Sequence, residues 1–214
     1  MRDLLILDHI IIAALNIEEG VAYAENILGV SIPTGGRHLS MGTHNHLLRL
    51  GDRLFLEVIS PDPQARPLSR KRWFDLDNSR LRASLTASPR IITWVARTIS
   101  IADALASVVG SAGPAIRVAR GDLSWLISVP DDGSMPFDGA FPTLIEWPQI
   151  PHPASNMVDQ GCKLVRFTVE HPQGDKIANL LSPFLKDERI IYKKGPTLHF
   201  EAEISTDNGL CRLC

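Results

Sequence analysis

The sequence predicts an α+β fold: two βαβββ modules, each a small curved sheet backed by one helix, paired to enclose a cleft, with a third, truncated βαββ module behind them. Three observations lead there. The pattern strand, helix, strand, strand, strand occurs twice, at a period of roughly 70 to 85 residues that is too long for a solenoid repeat. A chain of 214 residues, 44% hydrophobic and 21% charged, can bury a real core without staples. The first strand is a continuous β-branched run, as expected when both faces of a strand are covered.

The elements follow in order. Residues 6–14 are too short for a helix with a polar face and read as that buried strand. Asn16 is placed to cap a helix, Glu18 and Glu19 suit its positive end, and Gly29 suits its exit. Val21, Ala24, Ile27 and Leu28 supply its apolar stripe. After a Thr34-Gly35-Gly36 turn cluster come strands over 44–50 and 53–59, joined through Gly51-Asp52. Residues 68–89 read as a linking excursion, whose basic run with Trp73 and Phe74 is a solvated face able to contact an anion. The second round runs as a strand over 91–97, a helix over 101–109 stopped by Gly110, strands over 115–119 and 123–129, a Gly/Pro-rich loop and a strand over 143–147. The third places a strand over 163–170, a helix over 175–185, and strands over 189–193 and 197–204, then a turn into a terminal stub. The implied division is 1–67 for the first module, 68–89 for the linker, 90–154 for the second module and 155–214 for the partial third, packed as one globular unit.

Composition excludes several partners. With 22 basic and 24 acidic side chains the formal charge is −2, which suits neither a nucleic-acid-coating protein nor an acidic solvating tail. No apolar stretch reaches membrane-spanning length, so no membrane partner is expected. Cys162, Cys211 and Cys214 form no disulfide framework, and a reducing cytoplasm is the expected setting. Cys211 and Cys214 sit on a terminal tail, where a redox or metal role lacks a supporting fold. What remains is a small-molecule partner held in the cleft.

A two-residue Gly51-Asp52 loop pairs Leu50 with Arg53 and sets His46 opposite Glu57. His44, His46 and Glu57 then share one face, with Asn45 and Arg49 on the other; a bulge would reverse this. Glu57 among apolar neighbours needs compensation. Arg49, Arg53 or a loop amide can supply it, as can a histidine or a metal ion.

The stretches Leu7-Asp8-His9-Ile10 and Phe55-Leu56-Glu57-Val58-Ile59 resemble the vicinal oxygen chelate superfamily, which includes glyoxalases and extradiol dioxygenases. Gly35-Gly36-Arg37-His38 running into Gly42-Thr43-His44-Asn45, and Ile145-Glu146-Trp147 before His152-Pro153-Ala154, resemble its glyoxalase-like domain branch. The resemblance implies a divalent metal (Mn, Fe, Ni, Zn or Mg) held by His9, Glu57 and Glu146. Thr93 stands where a fourth ligand is expected. It implies a metal-dependent lyase, isomerase or dioxygenase acting on vicinal oxygens, with Glu146 and His44 as catalytic groups. Arg37, His38, His44, Asn45, His46, Phe55, Thr93, Trp94 and Trp125 are the expected pocket residues. The alternative is a metal-free binding or sequestering protein on the same fold. Two modules in one chain suffice for a cleft, so a homodimer is optional.

Overall fold

A computed structural model describes residues 5–108, 112–148 and 151–214. Strand β1 (Ile6–Ala13) leads into helix α1 (Ile17–Leu28), then β2 (Thr34–His38), β3 (Thr43–Gly51) and β4 (Leu54–Pro61). An excursion carrying α2 (Ser79–Leu85) precedes β5 (Arg90–Arg97), α3 (Ile101–Ser107), β6 (Ala115–Arg120), β7 (Leu123–Ser128) and β8 (Thr143–Glu146). The last run is β9 (Lys163–His171), α4 (Gly174–Leu181), β10 (Ile190–Lys194), β11 (His199–Thr206) and β12 (Gly209–Leu213). The α+β class and its curved sheets are therefore present. The helix stop expected at Gly110 lies outside the described residues.

Local chemistry accounts for the boundaries. The Asn16 side chain accepts the backbone N–H groups of Glu18 (2.8 Å) and Glu19 (3.3 Å), satisfying two of the free donors at the start of α1. Gly29 closes that helix at φ 70°, a left-handed conformation in which glycine avoids a side-chain clash. The Thr34-Gly35-Gly36 cluster is not a free turn but the start of edge strand β2.

Eight strands form one sheet in the order β2-β3-β4-β1-β5-β8-β7-β6. Each half reads second, third, fourth, first strand of its module, so the halves mirror each other about the antiparallel β1/β5 seam. In both, the first strand pairs in parallel with the fourth, β1 with β4 and β5 with β8. The sheet curls until its edges approach: a Cβ on Gly36 of β2 would lie 2.9 Å from Cδ of Arg120 on β6. The last run is wired differently. Its order is β10-β9-β11-β12, with β9 parallel to β10, its own second strand. The expected terminal stub is strand β12, so this block carries one strand more than the βαββ expectation.

Register holds the main correction. Arg49 pairs with Phe55 and Gly51 with Leu54, leaving Leu50 as an extra, bulged residue. Leu47, not His46, therefore faces Glu57, and Asn45 joins Glu57 on one face while His44 and His46 take the other. The cause is burial: Leu50 is 2% exposed and belongs to the helix-side core, which the bulge lets it reach.

Two cores follow from the two faces. Ile10, Ile12, Leu56, Val58 and Trp94 pack against α1, α3 and the last block, where Trp94 meets Phe167 edge-on. The inner face carries Ile11, Ala13, Ile59, Val95, Ile127 and Ile145, and the excursion plugs it with Trp73, Phe74, Leu76 and Leu85.

Candidate functional site

The sheet's interior holds a line of buried charge. His9 sits on β1 beside Phe55 of β4, and the two rings stack at 4.4 Å and 14°. His9 Nδ1 donates to Asp8 Oδ1 at 2.6 Å, while Nε2 faces Glu57 Oε2 at 3.4 Å. Neighbouring strand residues ordinarily point to opposite faces. Asp8 escapes this because the β1/β5 register slips between Leu7 and His9. Its other oxygen accepts Nε1–H of Trp147 (3.0 Å) and Nε2–H of His152 (2.9 Å), with Arg97 at 3.7 Å. His152 has Nδ1 occupied as acceptor of the Ala154 N–H, which leaves Nε2 as the donor. Glu57 accepts Asn45 Nδ2–H at 2.5 Å.

Burial of Asp8, His9 and Glu57 disfavours every charged form, yet the partners prevail. Desolvation pulls His9 down, but the Asp8 and Glu57 hydrogen bonds and charges raise it to about 9. The same contacts, with His152 on Asp8 and His38 and Asn45 near Glu57, hold both carboxyls well below their usual range despite desolvation. The line is carboxylate, imidazolium, carboxylate. His38, on the facing wall, goes the other way: burial, with the cations Arg120 and His9, lowers it to about 4 against the pull of Glu57.

Between these groups lies a cavity of about 20 Å³, walled by His9, His38, Glu57, Arg120, Trp73 and Trp125. That is room for one water and not for a substrate. Its polar lining is donor-rich. The indole N–H groups of Trp73 and Trp125 are buried without a partner, and Arg120 Nη1 reaches Asn45 Oδ1 only at 3.5 Å. Burial lowers the Arg120 guanidinium while the Glu57 charge raises it.

Of the expected residues, His9, His38, Asn45, Phe55, Glu57 and Trp125 meet here. The others do not. Glu146 points to the helix side, where its Oε2 accepts the Ile101 N–H at 2.7 Å and caps α3. Trp94 lies in the helix-side core and donates to Ala140 O; Thr93 donates to Gly139 O. The bulge turns His44 outward to Ser60 (2.8 Å) and His46 outward to Ile32 O (2.6 Å). Arg37 alternates with His38 on β2 and pairs with Asp62 at 2.6 Å. Sequence reasoning missed Asp8 as an anchor, Arg120, and the Trp73-Phe74 plug. Trp147 and His152 entered it only through the stretch that carries the resemblance, without their shared hold on Asp8. The signal for the plug was the Trp73-Phe74 pair followed by Leu76, Leu81 and Leu85, an apolar set within a basic stretch.

The donor set does not fit a divalent ion. With Glu146 on the far face, His9 and Glu57 are left as a pair. The group of three potential ligands found among the described residues is His199, Glu201 and Cys214, on the β11 surface. A cation in the cavity would lie among Arg120, Trp73 and Trp125, whose side chains offer it no ligand atom.

Among known proteins, a family model described as "Glyoxalase-like domain" matches residues 7–185. No curated protein matches the chain. A hypothetical protein from Staphylococcus aureus shares 14% identity at TM-score 0.62, covering 97% of this chain and 98% of that one. A mutant 4-hydroxymandelate synthase from Streptomyces coelicolor shares 13% at TM-score 0.50, covering 97% and 61%. A methylmalonyl-CoA epimerase from Streptomyces coelicolor shares 16% at TM-score 0.45, covering 70% and 99%. At these identities the structural likeness speaks for the fold alone, while the family match spans most of the sequence. The chain belongs to the family described as the glyoxalase-like domain.

Proposed function

We propose that this glyoxalase-like protein takes a small molecule with adjacent oxygens into the cup between its first two modules, and holds those oxygens with N–H donors rather than with a divalent metal. The observation that carries the reading is the pair of buried, unpartnered indole N–H groups, Trp73 and Trp125, beside Arg120. A buried donor without an acceptor costs roughly 1 to 3 kcal/mol, and a ligand oxygen at each would recover it. Two donors suit two oxygens. The superfamily commonly uses a divalent metal for this task, and here a guanidinium with two indoles supplies the same positive potential.

The cavity must first widen, with the Trp73 indole staying at the site and Phe74 giving way. Trp73 and Phe74 fill the cup, and Phe74 and Asp75 both hold φ 56°, a left-handed conformation costing about 1 to 2 kcal/mol per non-glycine residue. The segment is held by the Asp75 N–H to Gly133 O (2.9 Å) and the Arg72–Asp77 pair (2.6 Å). A shift at Phe74 and Asp75 that leaves Trp73 in place relieves that strain and widens the cavity.

A second reading, an enzyme of the lyase or isomerase class, rests on the Asp8–His9–Glu57 line. Protonated His9 can give a proton to a bound oxygen as general acid, with Asp8 holding the ring and the Glu57 carboxylate taking the proton from the α-carbon as base. The test is tryptophan fluorescence titration with small 2-oxo acids, 2-hydroxy acids and catechols, after chelation and again after loading with Mn²⁺, Fe²⁺, Ni²⁺ or Zn²⁺. Binding unchanged by chelation and lost in Arg120→Gln supports the proposal. Stoichiometric metal uptake that depends on His9 and Glu57, or no response to any compound, overturns it. Proton exchange at the ligand's α-carbon, abolished by His9→Gln, would favour the enzyme over the binder.

A further inference from the structure

A second recess lies outside the cup. A groove of about 1,140 Å³ runs along residues 61–72 and reaches Asp77 and Arg82. Its polar walls are Arg66, Arg70, Lys71, Arg72 and Arg82, with Asp62 and Asp77 as the acidic members. Both carboxylates are already engaged. Asp62 takes Arg37 at 2.6 Å and the Gln64 N–H; Asp77 takes Arg72 through Nη1 at 2.6 Å and through its backbone N–H at 2.9 Å. Among the described residues, no carboxylate pairs with Arg66, Arg70, Lys71 or Arg82. Four uncompensated cations thus line one concavity on a chain whose net charge is −2.

We propose that this groove binds a phosphate-bearing small molecule. Clustered like charges in a concave wall focus a positive potential, and arginine forks match phosphate oxygens two at a time. Arg70 is already held in place, donating Nη2–H to Pro130 O at 2.9 Å, while Arg66, Lys71 and Arg82 are exposed and free to close on an anion. Leu15, Ala65, Leu68 and three prolines form an apolar wall for the organic body of the ligand. The groove's own frame is stiff: Leu68 packs over Gly42, where a Cβ would come within 2.9 Å, and Arg72 Nε donates to Gly42 O at 3.1 Å. A concave site of this size suits a small molecule, and the near-neutral chain gives a polymer no extended basic track. The binding claim does not depend on the reading of the cup, whose plug begins one residue after Arg72.

Calorimetric titration of the full chain with pyrophosphate tests it, with orthophosphate and succinate as further probes, at about 20 mM and about 300 mM salt. The expected result is saturable one-to-one binding, tighter for pyrophosphate than for succinate and weakened by salt. The exposed triple variant Arg66→Ala/Lys71→Ala/Arg82→Ala should keep the fold and bind at least about tenfold more weakly. Arg80→Ala, on the same helix but outside the groove, should bind as wild type. Non-saturable uptake, or equal loss in the Arg80 variant, would show a diffuse charge effect and overturn the proposal.

Discussion

Raising the pH should unload the proton that His9 holds between two carboxylates, and the cost can be worked from the structure. His9 titrates at about 9 in the folded chain against 6.5 for a free imidazole. Between those values the native state binds a proton that the unfolded state has released, so stability falls as pH rises. A gap of two to three units at about 1.4 kcal/mol each is about 3 kcal/mol, fully present below pH ~6.5 and gone above pH ~9. The groups facing His9 are Asp8, Glu57, Asn45 and His38, with Arg97, His152 and Arg120 around them. Of these, His38 works in a separate window. Held neutral to about 4, it withdraws stability only as pH drops below its free value of 6.5. Urea unfolding at half-unit steps from pH 6 to 9.5 measures the slope, and histidine-selective NMR assigns it. His9→Gln supplies the control for the cysteines, which also titrate near pH 8.5 when unfolded. An imidazole at His9 that titrates below pH 7, or identical slopes in wild type and control, would refute the charged line.

Three further outcomes follow from the same contacts. Trp125→Phe removes a buried N–H without a partner, so stability should hold or rise by about 1 kcal/mol, while binding of an oxygen-rich ligand in the cup weakens; thermal melts and fluorescence titration check the two halves. Glu146→Ala should cost about 1 kcal/mol through the lost cap on α3 and leave the His9 titration unchanged. A shifted His9 in that variant would put Glu146 back in the site. Gly139→Ala drives a Cβ into Ile92 O at φ 101°, and should destabilise by several kcal/mol or prevent folding, read by circular dichroism against Gly121→Ala, which shares a positive φ (57°) but whose Cβ meets nothing within 4 Å.

Element types were legible where local chemistry decides them. Asn16 and Gly29 bracket α1 because a cap and a left-handed exit are properties of single residues. Faces were legible only where the pattern alternates. The stretch Thr143-Leu144-Ile145-Glu146-Trp147 is apolar on both sides, so nothing local says that Ile145 faces the cup and Glu146 the helix. Pairing was less legible still. The third block repeats the element order of the other two, yet β9 pairs in parallel with β10 instead of with its last strand, and nothing in the order of elements says so.

The site itself depends on two one-residue irregularities that no spacing rule exposes. The extra Leu50 in β3 exchanges the faces, bringing Asn45 rather than His46 to Glu57. The extra Asp8 in β1 lets adjacent residues join one network, so that His9 has a carboxylate on each nitrogen. A bulge costs a ladder hydrogen bond and persists only where burial or compensation favours it. In β3 the gain is a buried leucine; in β1 it is an aspartate with four donors around it. Straightening β1 would send Asp8 to the helix side and leave His9 with Glu57 alone, a pair of the kind a third ligand could complete into a metal site. The slipped register instead places a carboxylate on both sides of the ring and satisfies the imidazolium with protein alone.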